Sequence, residues 1–162
     1  MAAVATREVA VVTLPSDTQI LITREFHAPR HLVWRAWTEP DLIRRWWSGD
    51  KGEVTSVSND LRVGGEWRWV MRANAGFEVA FHGEYLEIEP HVRLVRTEIF
   101  EGAPDAAAVS TLTLADAGAG TTVRILVQHS TRQNRDAHLN SGMESGMQSS
   151  LAQLEQVAAS LR

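Results

Sequence analysis

Cysteine is absent from the sequence. That absence excludes disulfides, thiolate metal sites and cysteine nucleophiles together, and it fits a reducing compartment. A cytoplasmic setting is therefore expected. Basic charge is also scarce: 16 Lys and Arg against 20 Asp and Glu give a formal net charge of -4. Nucleic-acid binders usually present a basic face. Here the densest run of arginine, residues 24–45, is interleaved with Glu25, Glu39 and Asp41, so nucleic acid is not expected as a partner. No apolar stretch approaches the ~20 residues that span a bilayer. Arg7 and Glu8 stand just before the first apolar run, a poor pattern for a signal peptide. Residues 1–16 read instead as a partly ordered lead-in. Phosphate-binding glycine loops, dinucleotide fingerprints, G-x-S-x-G and H-x-x-x-H are all missing, which argues against an NTPase, a dehydrogenase, a hydrolase and a metal site. No cofactor and no metal are expected.

What is present is an ordinary globular composition, 44% hydrophobic and 22% charged over 162 residues, enough for one domain with a real core. We expect a single domain over residues 1–162. In residues 19–26, Ile20, Ile22, Arg24 and Phe26 alternate with Leu21, Thr23 and Glu25, the period of a strand. His27-Ala28-Pro29 stops it, and Pro29 suits a first helical position. Leu32, Val33, Ala36 and Trp37 follow at helical spacing. Pro40 ends that helix and begins a second short one carrying Leu42, Ile43, Trp46 and Trp47. From residue 48 to 129 the period is two. Strands are expected over residues 54–60, 66–71, 77–89, 93–100, 109–114 and 121–129, joined by short Gly, Asn and Asp turns. Short joins imply an antiparallel meander. Leu139, Met143, Met147, Leu151, Leu154, Ala158 and Leu161 then form one helical stripe. Ser141-Gly142-Met143-Glu144 has the form of a capping box, but the stripe predicts one helix running from about residue 132 to 161. A sheet with one apolar face must be covered, and only this helix is long enough. The pattern gives an α+β helix-grip fold: a curved antiparallel sheet of six or seven strands around a long C-terminal helix, with two short helices after the first strand.

Four stretches carry a resemblance. Ile22-Thr23-Arg24-Glu25-Phe26-His27-Ala28-Pro29 leads to Val33-Trp34-Arg35-Ala36-Trp37-Thr38-Glu39-Pro40 and Arg45-Trp46-Trp47. Asp60-Leu61-Arg62-Val63-Gly64-Gly65 is followed by Trp67. Gly83-Glu84-Tyr85 precedes Glu87-Ile88, Pro90 and Arg93-Leu94-Val95. Arg135-Asp136 precedes Ser141-Gly142-Met143-Glu144-Ser145-Gly146. Together they resemble the Hsp90-ATPase-activator-like family of the START-like (SRPBCC) superfamily, across residues 17–161. The resemblance implies the helix-grip fold and an internal cavity floored by the C-terminal helix. It implies no single activity, because relatives include ligand carriers, cyclases and co-chaperone domains. One departure stands out. Where the family commonly has an aromatic strand of the form Leu-Val-Phe-Thr-Trp, this chain reads Leu94-Val95-Arg96-Thr97-Glu98.

The candidate site residues follow from residue type and spacing. Trp47 and Trp69 are either core or pocket wall, since aromatic rings serve both. His82 and Glu84 lie two apart on a strand and share a face with Leu86 and Ile88, which suggests that the face looks inward. They form an acid–base pair there or a plain rim pair. Arg96 and Glu98 also share a face. Inward, they need partners, either each other or Arg68 and Glu84, and would recognise a polar head group; outward, they form a surface pair of little consequence. His129 ends a strand at the expected cavity mouth, while His27, His31, His91 and His138 read as surface residues. Gly142 and Gly146 cost helix stability, so close packing or room for a ligand should account for them. Met143 and Met147 beside them are adaptable apolar fillers. The leading expectation is a binder of a small hydrophobic or amphiphilic ligand. A cyclase- or aromatase-like enzyme using the same cavity and a co-chaperone-like interaction module are the alternatives. A homodimer is compatible with the size.

Overall fold

The structure is a computed structural model that describes residues 9–162, so the part of the lead-in reading that falls on residues 1–8 lies outside the described residues. Eight strands form one sheet: β1 (Val11–Thr13), β2 (Gln19–Phe26), β3 (Gly52–Asn59), β4 (Glu66–Ala73), β5 (Glu78–Glu89), β6 (Arg93–Phe100), β7 (Ala108–Ala117) and β8 (Gly120–His129). Their order is β1-β2-β8-β7-β6-β5-β4-β3, and each neighbouring pair is antiparallel. From β3 to β8 the order is the meander that short turns impose. β2 then returns beside β8, which brings the start of the chain to the last strand. The additional strand, β1, pairs Val11 with Thr23 and makes the total eight rather than six or seven. Part of the expected lead-in is thus sheet.

Helix α1 (Arg30–Thr38) and the one-turn α2 (Pro40–Ile43) follow β2. Pro29 is the residue before α1, not its first, with extended backbone at ψ 154. Trp46 and Trp47 stand just beyond α2, in turns held by bonds from their amides to the Ile43 carbonyl.

The C-terminal stripe forms two helices rather than one. Helix α3 (Arg132–Leu139) is capped by the Thr131 hydroxyl, which accepts the Asn134 amide at 3.0 Å. Helix α4 (Met143–Ser160) starts afresh after Gly142, whose φ of +83 lies in the left-handed region. That conformation strongly favours glycine. The capping box whose form residues 141–144 have is not made: the Ser141 hydroxyl donates instead to the His138 carbonyl at 2.7 Å. The stripe continues through the break because Leu139, the last residue of α3, and Met143, the first of α4, both pack against the core, and this is why periodicity alone did not show it.

Helix α4 differs along its length. Leu151, Leu154, Val157 and Ala158 in its second half are buried in the main core. Met143, Gly146, Met147 and Ser150 in its first half are only half-buried. The core is closed on one side of the molecule and open on the other.

Candidate functional site

The opening is a partly open cavity of about 390 Å³ between the concave face of the sheet and the first half of α4. Its apolar wall includes Trp47, Trp69, Phe81, Leu94, Met143 and Met147; Arg96, Glu98, Ser110, Lys51 and His138 bring polar groups to it. The volume is in the ordinary range for a small-molecule site, and so is a mostly apolar lining with few polar groups.

The aromatic wall is closely packed. Trp69 packs against Trp47 at 5.6 Å, Trp46 at 6.1 Å and Trp67 at 5.3 Å between ring centroids, and Trp47 meets Phe81 at 5.9 Å. Three indoles are pinned by hydrogen bonds: Trp46 Nε1 donates to the Ala36 carbonyl at 2.7 Å, Trp67 Nε1 to the Thr97 carbonyl at 3.1 Å, and Trp69 Nε1 to Asn59 Oδ1 at 2.8 Å. The Asn59 amide in turn donates to the Thr38 carbonyl, tying β3 to the end of α1. Trp67 is a core residue, Trp46 and Trp69 are both core and wall, and half-buried Trp47 is wall.

Arg96 is the unusual residue. It is 8% exposed, with its guanidinium carbon 3.8 Å from the Trp67 ring centroid and 4.5 Å from that of Trp69. No carboxylate among the described residues pairs with it, and its Nη1 is buried. Tyr85 lies directly across on β5 and Ser110 directly across on β7. Burial pushes the Tyr85 phenol up, and the Arg96 guanidinium, by its charge and by hydrogen bonding, opposes that rise only in part. The phenol hydroxyl and Arg96 Nη1 are both buried, and apart from each other neither has a polar partner among the described residues. Glu98, two residues on, faces the same cavity and is half-buried.

A histidine pair closes the end near Glu98. His129 Nε2 and His138 Nδ1 are 3.0 Å apart, linking the end of β8 to α3. Burial lowers the pKa of both; His138 lowers that of His129 further, and Glu98 opposes this. Both therefore favour the neutral form. His138 lines the cavity, correcting its reading as a surface residue, and His129 stands behind it.

His82 and Glu84 do not face the cavity. A β-bulge between Tyr85 and Glu87 changes the parity of β5. Before it, Phe81 points to the cavity while His82 and Glu84 border a second depression, of about 410 Å³, on the opposite face, with Leu86 exposed. After it, Ile88 packs on the core. Leu86 and Ile88 thus belong to different faces, and the inference that drew His82 and Glu84 inward fails on that point. His82 Nδ1 lies 2.9 Å from Glu101, which also receives a two-pronged pair from Arg68 at 2.8 and 2.9 Å. Those bonds hold the Glu101 carboxyl down at about 2, with Arg68 the larger cause. Arg68 is therefore engaged on the outer face and does not pair with Glu98, and Glu84, on that same face, does not pair with Arg96.

These features can be set beside known proteins. The family model for the Activator of Hsp90 ATPase homolog 1-like protein matches residues 27–159. The chain belongs to this family. Solved structures agree on the fold. A crystal structure from Rhodobacter sphaeroides superposes with a TM-score of 0.87 at 25% identity, covering 94% of this chain and 99% of that one. One from Nitrosomonas europaea gives 0.82 at 26% identity, covering 91% and 98%. One from Chromobacterium violaceum gives 0.74 at 30% identity, covering 86% and 96%. No curated protein matches the chain.

Within this Hsp90-ATPase-activator-like chain, the structure brings six of the singled-out residues, Trp47, Trp69, Arg96, Glu98, Met143 and Met147, to one cavity. It places His129 one contact behind it and leaves His82 and Glu84 outside. Phe81, Lys51, Ser110 and His138 join the site without having been singled out. Phe81 was readable in principle, since it pairs directly with Trp69 across β4 and β5. Gly146 lines the cavity, and a side-chain carbon added there would meet nothing nearer than Lys51 Cγ at 4.0 Å. Close packing does not account for this glycine; open space does. Among the described residues, no group of three or more His, Asp or Glu is arranged to hold a metal, and no helix is long and apolar enough to cross a membrane.

Proposed function

We propose that the protein binds a small apolar or amphiphilic molecule in the cavity between the sheet and the first half of α4. The observation that carries this reading is the cavity wall. Half-buried Trp47, Phe81, Met143 and Met147 surround about 390 Å³, and a glycine stands within the helix where a larger side chain would fill the space. Glycine in a helix interior costs roughly 0.5–1 kcal/mol relative to alanine. A fold selected only for stability gains by closing such a gap. Trp47, Trp69, Met143 and Met147 supply the apolar wall in this reading, and Arg96 and Glu98 the polar recognition. His129 acts through His138.

An uncharged reporter tests the proposal without involving Arg96. N-phenyl-1-naphthylamine, whose fluorescence rises in apolar surroundings, should bind the native protein saturably. Gly146→Leu should abolish that signal while leaving the circular dichroism unchanged. Unsaturable fluorescence, or identical binding by the Gly146→Leu variant, would contradict the assignment of the cavity as the site.

A further inference from the structure

The placement of Arg96 narrows the ligand class. This inference rests on the cavity reading and deepens it. We infer that the ligand carries a single negative charge, a carboxylate, and that Arg96 receives it.

Two indoles flank Arg96. Cation–π contacts engage the flat faces of the guanidinium, and its N–H donors lie in its plane. Trp67, the nearer ring, therefore holds the group without using those donors, while Trp69, inclined 67° to Trp67, packs beside it. A buried arginine is normally met by a carboxylate; here none of the described residues provides one, and Nη1, sealed from solvent, has only the neutral Tyr85 hydroxyl beside it. A buried cation without a counter-charge is costly. The outer arginine on β4, Arg68, shows the same fold satisfying such a group with a two-pronged carboxylate. At Arg96 the corresponding oxyanion is missing from the protein side, while the residue lines the cavity.

The other charges set how negative the ligand is. Lys51 and Glu98 are the remaining charged residues lining the cavity, and His138 favours the neutral form because it is buried. Lys51 is exposed and already lies 3.6 Å from Asp50. Glu98 shares the inward face of β6 with Arg96, two residues away, and repels a second negative charge on the head group. A phosphate monoester, with roughly 1.5–2 charges at neutral pH, is disfavoured there relative to a carboxylate. The Ser110 hydroxyl, on the residue across from Arg96, adds a neutral donor suited to either oxygen of a carboxylate. The apolar body then extends along Trp47, Phe81 and the two methionines.

Titration calorimetry of the full chain with decanoate, decan-1-ol and decyl phosphate tests this. Decanoate should bind about tenfold or more tightly than decan-1-ol, as a charge-assisted bond in a buried site predicts, and more tightly than decyl phosphate. In Arg96→Met, decanoate and decan-1-ol should bind alike. The wild-type comparison stands even if that variant fails to fold. Equal binding of decanoate and decan-1-ol to the wild type would overturn the charge assignment and leave the cavity reading intact. Tighter binding of decyl phosphate would overturn the single-charge preference. Binding of none of the three would overturn both readings.

Discussion

The two faces of the sheet use the same residue types to opposite ends. On the outer face, Arg68, His82 and Glu101 satisfy one another: the carboxylate takes Arg68 at 2.8 and 2.9 Å and His82 at 2.9 Å. On the inner face, Arg96 lies against two indoles with no carboxylate among the described residues, and Glu98 faces the same cavity unpaired. The outer set is electrostatically complete and borders solvent, where such pairs contribute little. The inner set is incomplete and lines a partly open cavity with Arg96 itself buried, where an unmet group is costly. Chemical type did not distinguish the two sets; satisfaction and burial did. A functional reading belongs with the face whose polar groups still lack partners.

This contrast can be broken most forcefully at Trp69. It is 1% exposed and joins the aromatic wall to the core, so Trp69→Ala should lower unfolding stability by about 3–5 kcal/mol in urea titrations. A loss below about 1 kcal/mol would show that the wall is not part of the core. Acid should act next, through His129 and His138. Their folded pKa values lie below the usual 6.5, so the unfolded chain takes up protons first as the pH falls. Stability should therefore be unaffected by this pair above about 6.5 and should decline as the pH drops below it. Thermal melts across this range should show that decline flattened in a His129→Gln, His138→Gln double variant. An unchanged slope would remove the pair from the account.

Smaller changes sharpen the comparison. Gly146→Ala should stabilise the fold by roughly 0.5–1 kcal/mol, since the added carbon meets only Lys51 Cγ at 4.0 Å, while weakening reporter binding. Destabilisation there would mean that the glycine answers to packing after all. On the outer face, Glu101→Gln should cost only about 0.2–1 kcal/mol, and reporter affinity should not change. The small stability contribution of the Glu101 carboxylate should be present above pH ~4.5 and lost as the pH falls toward about 2, the direction set by its depressed pKa. A binding defect in that variant would put the outer depression back among the candidate sites.

Much of this was legible in the sequence, and the losses have identifiable causes. Alternation in β2 and β4 and the stripe on α4 gave the layers, because period two and period 3.6 each mark one buried face. The family resemblance agreed with both. The inward face of β6 was undecidable, since Arg96 and Glu98 read as surface chemistry and only their stacking and register show otherwise. His82 and Glu84 were misplaced because a single extra residue at the β5 bulge puts Leu86 and Ile88 on different faces. The α3–α4 break was hidden because Gly142 interrupts the backbone without interrupting the apolar stripe. Strand β1 lies in a segment with too few residues to show a period.

The most direct test of the inner-face assignment is a two-dimensional amide and indole NMR titration of the protein with N-phenyl-1-naphthylamine, whose rings displace the resonances of whatever they touch. The Trp47 and Trp69 indoles and the Gly146 and Met147 amides should move together and saturate, while His82, Glu84 and Glu101 stay in place. Shifts concentrated at His82, Glu84 and Glu101, with the two indoles unmoved, would contradict the account.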